Sequence, residues 1–290
     1  MNITTIIIIL VALMLVAYVG YFAVDLFKHK DEMEEDVCWW KVGLIGGFVN
    51  FFDPLGIGAF APQTALLKFF KQTRDQLIPG TMNVSNTVPV LLQALIFTTI
   101  IEVEPVTLVV MLVAAMAGAI LGASIVSKLS EKHIRLVMGF ALACTAIIML
   151  AGLLNLMPVG GDAIGLSTGK LIIAAIINFI LGALMTAGVG LYNPCMVVVS
   201  LLGMSVNVAF PIMMGSCAFL MPPASVKFIK EGAYNRKAAL WMCIFGSVGT
   251  LIASLIIKSL PITVLKWIVV CVTVYTSTVM LKAAFSKKAK

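Results

Sequence analysis

The chain has 290 residues, of which 61% are hydrophobic and 11% are charged, and its mean hydropathy is +1.09. This composition leaves too little polar surface to coat a water-soluble globule of that size, so it excludes a soluble enzyme or binding domain. The net charge of +7 does not indicate a nucleic-acid partner, because Lys and Arg lie in short clusters between apolar runs, as in the positive-inside pattern of membrane proteins.

The first apolar run extends from Ile6 to Phe27 and exceeds the roughly 20 residues that cross a ~30 Å hydrocarbon core. It predicts an N-terminal membrane helix over residues 3–27. The start Met-Asn-Ile-Thr-Thr lacks the basic residues of a signal peptide, so we expect this helix to be retained. Further apolar runs follow to the C-terminus, which predicts one all-α transmembrane domain over residues 1–290, multi-pass in a bacterial inner or plasma membrane.

An internal repeat is the most informative feature of the sequence. The segment Gly-Ile-Gly-Ala-Phe-Ala-Pro at 56–62 recurs 132 residues later as Gly-Val-Gly-Leu-Tyr-Asn-Pro at 188–194. Further matches follow at offsets of 132 or 131 residues: Pro79 with Pro211, Gly118 with Gly249, and Leu129 with Leu260. The chain therefore divides into repeat 1 (42–156) and repeat 2 (170–286), preceded by the extra N-terminal helix.

Each repeat is predicted to contain a broken-helix hairpin followed by three membrane spans. The hairpins cover 42–73 and 170–206, and the spans lie near 79–101, 106–127, 134–156, 208–226, 238–257 and 264–283. If each hairpin begins and ends on one side of the membrane, all basic residues except Lys170, Lys258 and Lys266 fall inside, which is seventeen of twenty. If each hairpin is instead one full span, only twelve do. The hairpin arrangement makes the repeats inverted, which is an arrangement that supports alternating access.

The two glycine-rich breaks are the first candidate site. Each predicts a helix that starts at its proline, with Asn193 as a cap in the second copy. Two such helix N-termini at the bilayer centre would favour an anion. The alternative is that glycine and proline serve packing and kinking. The candidate substrate-binding residues here are Gly56, Gly58, Pro62, Gly188, Gly190, Asn193 and Pro194.

A second candidate cluster of polar residues opens the span after each hairpin. It comprises Thr81, Asn83, Ser85, Asn86 and Thr87 in repeat 1, and Ser216 and Cys217 in repeat 2. Neutral donors suit an oxyanion that must also leave, whereas hydrogen bonding between helices takes the same residue types. We assign Thr81 to helix-helix bonding and retain Asn83, Ser85, Asn86, Ser216 and Cys217 as candidate substrate-binding residues.

Asp53 is the acidic residue that lies deep in an apolar stretch, where a charge costs roughly 2.5 to 3.5 kcal/mol. Two interpretations remain open: proton coupling or gating, with protons as the candidate coupling ion, and capping of the break beside Pro54. The equivalent position in repeat 2 is Met185, so neither role is duplicated.

The sequence contains no signature of catalysis or of a cofactor. His29 and His133 lie at span ends beside lysines, and the six cysteines have no Cys-x-x-Cys spacing. Gly-x₄-Gly-Lys-Ser/Thr does not occur, and the single Gly-x-Ser-x-Gly match, at 165–169, is too short a pattern to indicate a catalytic serine by itself. We therefore expect no enzyme activity, no metal, no other cofactor and no nucleic-acid partner.

The duplicated break with its proline, the Ala-Gly-Ala-Ile-Leu-Gly-Ala segment at 117–123 and the basic loop after it together resemble the sulfite exporter TauE/SafE family, also called the toluene-sulfonate uptake permease family. The likeness covers residues 42–286, and the N-terminal helix departs from the commonest family pattern. The resemblance implies a permease for sulfur-containing anions such as sulfite and organosulfonates. The alternatives are an anion channel and a transporter of another small anion; direction, coupling ion and oligomeric state stay open.

Overall fold

The computed structural model describes residues 3–55, 58–97, 103–156, 160–188, 190–256 and 262–286. These residues form eleven α-helices: α1 (Ile3–Lys28), α2 (Trp39–Phe52), α3 (Phe60–Phe69), α4 (Ile78–Phe97), α5 (Pro105–Val126), α6 (Glu131–Leu153), α7 (Thr168–Thr186), α8 (Tyr192–Leu201), α9 (Val206–Lys230), α10 (Arg236–Ile256) and α11 (Ile262–Phe285). Short 3-10 turns flank α2 and α4.

Seven of these helices, α1, α5, α6, α7, α9, α10 and α11, are long and apolar enough to cross a membrane. The predicted class, an all-α polytopic membrane protein, is therefore confirmed. By contrast, α3 and α8 have ten residues each and reach only about 15 Å at 1.5 Å per residue. The hairpins are consequently α2 with α3, and α7 with α8. The first arm of the second hairpin is longer than predicted, since α7 has 19 residues.

The helices pack in a pattern that exchanges the two repeats. When α2–α6 are matched in order with α7–α11, the main contacts between different helices of the two repeats occur in equivalent pairs: α2 packs on α10 as α7 packs on α5, α4 on α10 as α9 on α5, and α3 on α11 as α8 on α6. Two further contacts, α4 with α9 and α6 with α11, join equivalent helices. A two-fold relation between the repeats produces this pattern, with α4 and α9 at the centre.

Each hairpin begins and ends on one side of the protein. In the first, the backbone N–H before α2, at Cys38, donates to Oε1 of Gln72 after α3 at 3.0 Å. In the second, Nζ of Lys170 at the start of α7 donates to the backbone oxygen of Leu202 after α8 at 2.8 Å. This is the geometry that the charge distribution predicts for a hairpin, as opposed to a single full span.

The loops sort into two faces. The basic face consists of loops 29–38, 70–77, 127–130 and 231–235, which are joined by contacts such as Gln76 Nε2 to the Leu129 oxygen at 3.3 Å. The opposite face consists of residues 103–104, 160–167 and 202–205, where the Ser205 N–H donates to the Ala163 oxygen at 3.0 Å. One hairpin starts from each face, which is the inverted arrangement.

Ion pairs on the basic face fix the helix ends. Asp75 accepts hydrogen bonds from Lys68 of α3 and, at 2.7 Å, from Arg135 of α6. The N-terminus of α10 is capped twice, because the Asn235 side chain accepts the third N–H while the Glu34 carboxylate accepts the first two. These bonds anchor the hairpin and the second repeat at the membrane surface.

The N-terminal helix α1 packs against α4 and α9, one helix from each repeat. The Tyr18 hydroxyl donates to the backbone oxygen of Val84 in α4 at 2.8 Å. At the basic face, Asp25 accepts hydrogen bonds from the Tyr234 hydroxyl and, at 3.1 Å, from Arg236. The helix is thus an integral part of the bundle, and it has no counterpart in repeat 2.

Glycines allow the closest helix contacts, and these contacts are duplicated as well. A Cβ at Gly118 of α5 would collide with the backbone oxygen of Phe179 in α7. A Cβ at Gly249 of α10 would collide with the backbone oxygen of Gly47 in α2. Gly249 is the repeat partner of Gly118, and Phe179 is the repeat partner of Gly47. The same close contact between helix backbones therefore occurs once in each half of the bundle.

Candidate functional site

The two glycine-rich breaks meet in one small cavity at the centre of the bundle. The helices that follow them, α3 and α8, begin at Phe60 and Tyr192, which are 132 residues apart and therefore equivalent. The cavity has a volume of about 10 Å³ and is lined by Asp53, Gly58, Ala59, Phe60, Val90, Met185, Gly190, Leu191, Tyr192 and Cys217. Both hairpins, α4 and α9 contribute to it, so the predicted meeting of the two breaks is observed.

Two glycines let the backbone turn between the hairpin arms. Gly58 has a φ angle of +82° and Gly188 one of +97°, in the left-handed region that side chains with a Cβ rarely adopt. Gly58 lies two residues before the start of α3, whereas Gly188 lies two residues after the end of α7. Gly56, the repeat partner of Gly188, lies outside the described residues.

The predicted helix starts at the prolines are wrong by two residues. Pro62 and Pro194 are each the third residue of their helix, and the residues that precede α3 and α8 are Ala59 and Leu191. Proline fits there because none of the first four N–H groups of a helix has an intrahelical acceptor. Asn193 is the second residue of α8, so it is not the predicted cap; its side chain lies outside the described part of the chain.

Both helix N-termini direct backbone N–H groups toward the region of the cavity. The first intrahelical bonds run from the Gln63 N–H to the Ala59 oxygen and from the Cys195 N–H to the Leu191 oxygen, each 3.0 Å long. The N–H groups before Gln63 and Cys195 therefore have no acceptor within their helix. Each N-terminus carries the equivalent of about half a positive charge, which favours anions and carboxylates.

The side chain of Asp53 lies beside the N-terminus of α3. Asp53, at the end of α2, is 4% exposed, and its carboxyl group lies beside the backbone N–H of Ala59 at the start of α3. Across the cavity, the hydroxyl of Tyr192 lies 3.5 Å from Oδ2 of Asp53 and 3.3 Å from Oε1 of Gln93 in α4. These contacts join the tip of the second hairpin to repeat 1.

Comparison with known protein families identifies the family of this chain. The family model described as "Sulfite exporter TauE/SafE" matches residues 3–149, which is 147 of the 290 residues. The chain belongs to this family. Comparisons with curated proteins and with solved structures gave no match. As a member of the TauE/SafE family whose described residues include seven helices long and apolar enough to cross a membrane, the chain is a multi-pass transport protein of the cell membrane.

The TauE/SafE match extends over α1 and most of repeat 1 and ends within α6. It includes the first break and the polar cluster of α4. It also includes the N-terminal helix, so the expectation that this helix departs from the family pattern is wrong. Repeat 2 lies outside the matched range, so its relation to the family comes from its correspondence with repeat 1.

The polar cluster of α4 in this TauE/SafE protein bonds mostly to neighbouring helices. Nδ2 of Asn86 donates to Oε1 of Gln63 in α3 at 2.5 Å, and its Oδ1 accepts from Asn50 of α2 at 2.9 Å. Ser85 lies 3.4 Å from Nε2 of Gln63. These side chains are fully buried but do not line the cavity, so they tie α4 to the first hairpin.

Asn83 and Ser216 likewise lie beside the site. Nδ2 of Asn83 donates to the backbone oxygen of Thr186 at 3.2 Å, at the last residue of α7, while Ser216 accepts from Asn178 at 3.1 Å. Both contacts hold the second hairpin. Thr81 accepts a bond from the Asn235 backbone N–H at 2.9 Å, so its assignment to helix-helix bonding is confirmed.

Sequence reasoning missed Tyr192 and Gln93. Tyr192 stands inside the repeated motif, where repeat 1 has Phe60, and this added hydroxyl is a signal that could have been noticed. Gln93 is a single glutamine in the apolar part of α4; it is 1% exposed, and its Nε2 has no hydrogen-bond partner among the residues that the structure describes. Of the predicted residues, Gly58, Gly190, Cys217 and Asp53 line the cavity directly.

Proposed function

We propose that this TauE/SafE protein is a secondary transporter that moves a small sulfur-containing anion, such as sulfite or an organosulfonate, by alternating access. The observation that carries the proposal is the meeting of two equivalent helix N-termini, those of α3 and α8, in one cavity between inverted hairpins. Their positive ends favour an anion from both sides. The description of the family names sulfite, which supports a sulfur oxyanion as the first substrate to test.

The lining of the cavity fits an anion that is bound and then released. None of the ten residues that line it is basic, so the electrostatic attraction comes from partial charges on backbone N–H groups. A full opposite charge in a buried site would retain the anion more strongly. In our proposal Gly58, Gly190 and Cys217 contact the substrate, while Asn83, Ser85, Asn86 and Ser216 position the two hairpins around it.

The size of the cavity implies movement. A volume of about 10 Å³ accommodates about one water molecule, which is less than a sulfur oxyanion with three oxygen atoms requires. Binding therefore requires the tips of the hairpins to separate. Because the hairpins start from opposite faces, movement of one tip at a time opens the site to one side of the membrane, which is alternating access.

Transport is tested in liposomes that contain the purified protein. We expect saturable uptake of radiolabelled sulfite, competition by sulfonates, and acceleration when the same anion is preloaded inside. Flux that does not saturate and shows no stimulation by internal anion would instead indicate a channel. If folded protein moves no sulfur anion, the substrate assignment is wrong, and carboxylates and other small anions are the next candidates.

Cys217 provides a test of access to the cavity. It is fully buried, lines the cavity, and we expect a maleimide to reach it only when the hairpin tips separate. In a chain that retains Cys217 while the other five cysteines are replaced, labelling should abolish uptake, and a transported sulfonate should slow labelling at least severalfold. The same chain with Cys217→Ser is the control and should be insensitive. Labelling at an unchanged rate with saturating sulfonate would remove Cys217 from the site.

A further inference from the structure

The wall of the cavity carries one acidic residue and no basic one. Of the lining residues, only Asp53, Tyr192 and Cys217 can titrate; those from α4 and α7, Val90 and Met185, are neutral. None of the ion pairs found in the described part of the chain includes Asp53. An anion in this cavity would therefore lie beside a second negative charge whenever Asp53 is ionised.

The helix N-termini can balance one negative charge. Each contributes the equivalent of about half a positive charge, so α3 and α8 together contribute about one. The Asp53 carboxylate already occupies this field, since it lies beside the Ala59 N–H at the start of α3. A second negative charge about 4 Å away, in surroundings of intermediate dielectric constant, would lower anion affinity by about 100- to 1000-fold.

The hydroxyl of Tyr192 can donate either to ionised Asp53 or, when Asp53 is neutral, to an anion in the cavity. It has one hydrogen and two acceptors within reach, Oδ2 of Asp53 at 3.5 Å and Oε1 of Gln93 at 3.3 Å, so it serves one at a time. An ionised carboxylate is the stronger acceptor. When Asp53 is protonated, the hydroxyl becomes available to an anion in the cavity, and the unpartnered Nε2 of the adjacent Gln93 is a second buried donor.

We propose that the site holds one negative charge at a time, so that the protein carries a monovalent oxyanion together with one proton in an electroneutral symport. The inference rests on the proposed transport function. The proton passes from water to the Asp53 carboxylate when the anion enters and returns to water when the anion leaves. The empty site crosses with ionised Asp53 and the loaded site with neutral Asp53 and the anion, so both carry the same charge.

The test uses proteoliposomes and a radiolabelled sulfonate such as ethanesulfonate, because its charge stays at −1 across the pH range and any proton that moves belongs to the protein. We expect an acidic exterior to drive uptake by the unsubstituted protein and an imposed membrane potential to leave it unchanged. Asp53→Asn should lose the response to the pH gradient, since asparagine mimics the neutral acid. Its transport should become electrogenic, with an inside-positive potential of 100 mV raising accumulation up to about 50-fold.

Tyr192→Phe separates the hydroxyl from the acid. Phenylalanine occupies the equivalent position in the first hairpin, Phe60, so the ring should be accommodated. We expect about tenfold weaker sulfonate binding with the pH dependence retained, whereas Asp53→Asn should abolish that pH dependence. Uptake by the unsubstituted protein that responds to membrane potential, or gradient-driven uptake that persists in Asp53→Asn, would overturn the inference.

These outcomes differ from failure of the proposed function. If the unsubstituted protein moves no anion under any gradient, the transport proposal itself fails. If it moves the sulfonate but responds to potential in place of the pH gradient, transport stands and the symport inference fails. Should Asp53→Asn not fold, the two measurements on the unsubstituted protein still decide the question.

Discussion

Replacing Gly190 with leucine is expected to reduce anion uptake at least 100-fold and to leave the fold intact. Gly190 lines the cavity, and a Cβ added there has no other heavy atom within 4 Å. Its φ angle lies outside the left-handed region, so the substitution introduces no backbone strain. The isobutyl group is larger than the cavity of about 10 Å³ and would occupy the place of the substrate.

The matched control for this prediction is Gly20→Leu. Gly20 also has no heavy atom within 4 Å of an added Cβ, but it lies on the exposed side of α1. Gly20→Leu should melt like the unsubstituted protein in detergent, Gly190→Leu should remain folded and monodisperse, and only Gly190→Leu should lose uptake in liposomes. Normal uptake by a folded Gly190→Leu protein would show that the substrate does not pass through this cavity.

Replacing Gly118 with alanine should have the opposite consequence, a loss of stability. One methyl group at this position would collide with the backbone oxygen of Phe179, which cannot move unless α5 and α7 separate. Overpacking of this kind costs about 1 to 3 kcal/mol, and more where backbone is involved. The expected result is a clearly lower melting temperature and less monodisperse protein in detergent.

Two comparisons sharpen this prediction. Gly20→Ala introduces the same methyl group into an exposed helix position and should be neutral or stabilising by up to about 1 kcal/mol, because alanine is the better helix former. Gly249→Ala, at the equivalent contact with Gly47, should destabilise as Gly118→Ala does. A Gly118→Ala protein that melts like Gly20→Ala would contradict the close approach of α5 and α7.

The repeat and the arrangement of the hairpins could be predicted because both follow from signals that are independent of packing. The spacing of Gly118 and Gly249 can be found in the amino-acid sequence alone, and the side of the membrane on which each loop lies is predicted from the positions of the lysines. The bond between Cys38 and Gln72, which closes the first hairpin on one face, agrees with that charge-based topology. Long-range symmetry and membrane orientation are thus encoded redundantly.

The site could be predicted only in part, because side-chain roles depend on which neighbour lies within 3 to 4 Å. Asn86 is a residue type that often binds ligands, yet its side-chain amide is hydrogen-bonded to Gln63 and Asn50. Tyr192 reaches Asp53, a residue 139 positions earlier in the chain, and no local pattern encodes this contact. The position of Pro62 was misjudged because the whole first turn of a helix tolerates proline, so proline alone does not fix the first residue.

The N-terminal helix makes the two faces of the bundle different, although the two repeats are related by a two-fold axis. If the repeats were identical, an inward-facing state and an outward-facing state would be related by symmetry and equally populated. Helix α1 contacts α4 and α9 but is tied through Asp25 and Arg236 to the basic face alone, and nothing in repeat 2 mirrors it. Under the proposed alternating access, we expect its bonds to contribute unequally to the two states, so that α1 helps to determine the side to which the unloaded protein opens at rest.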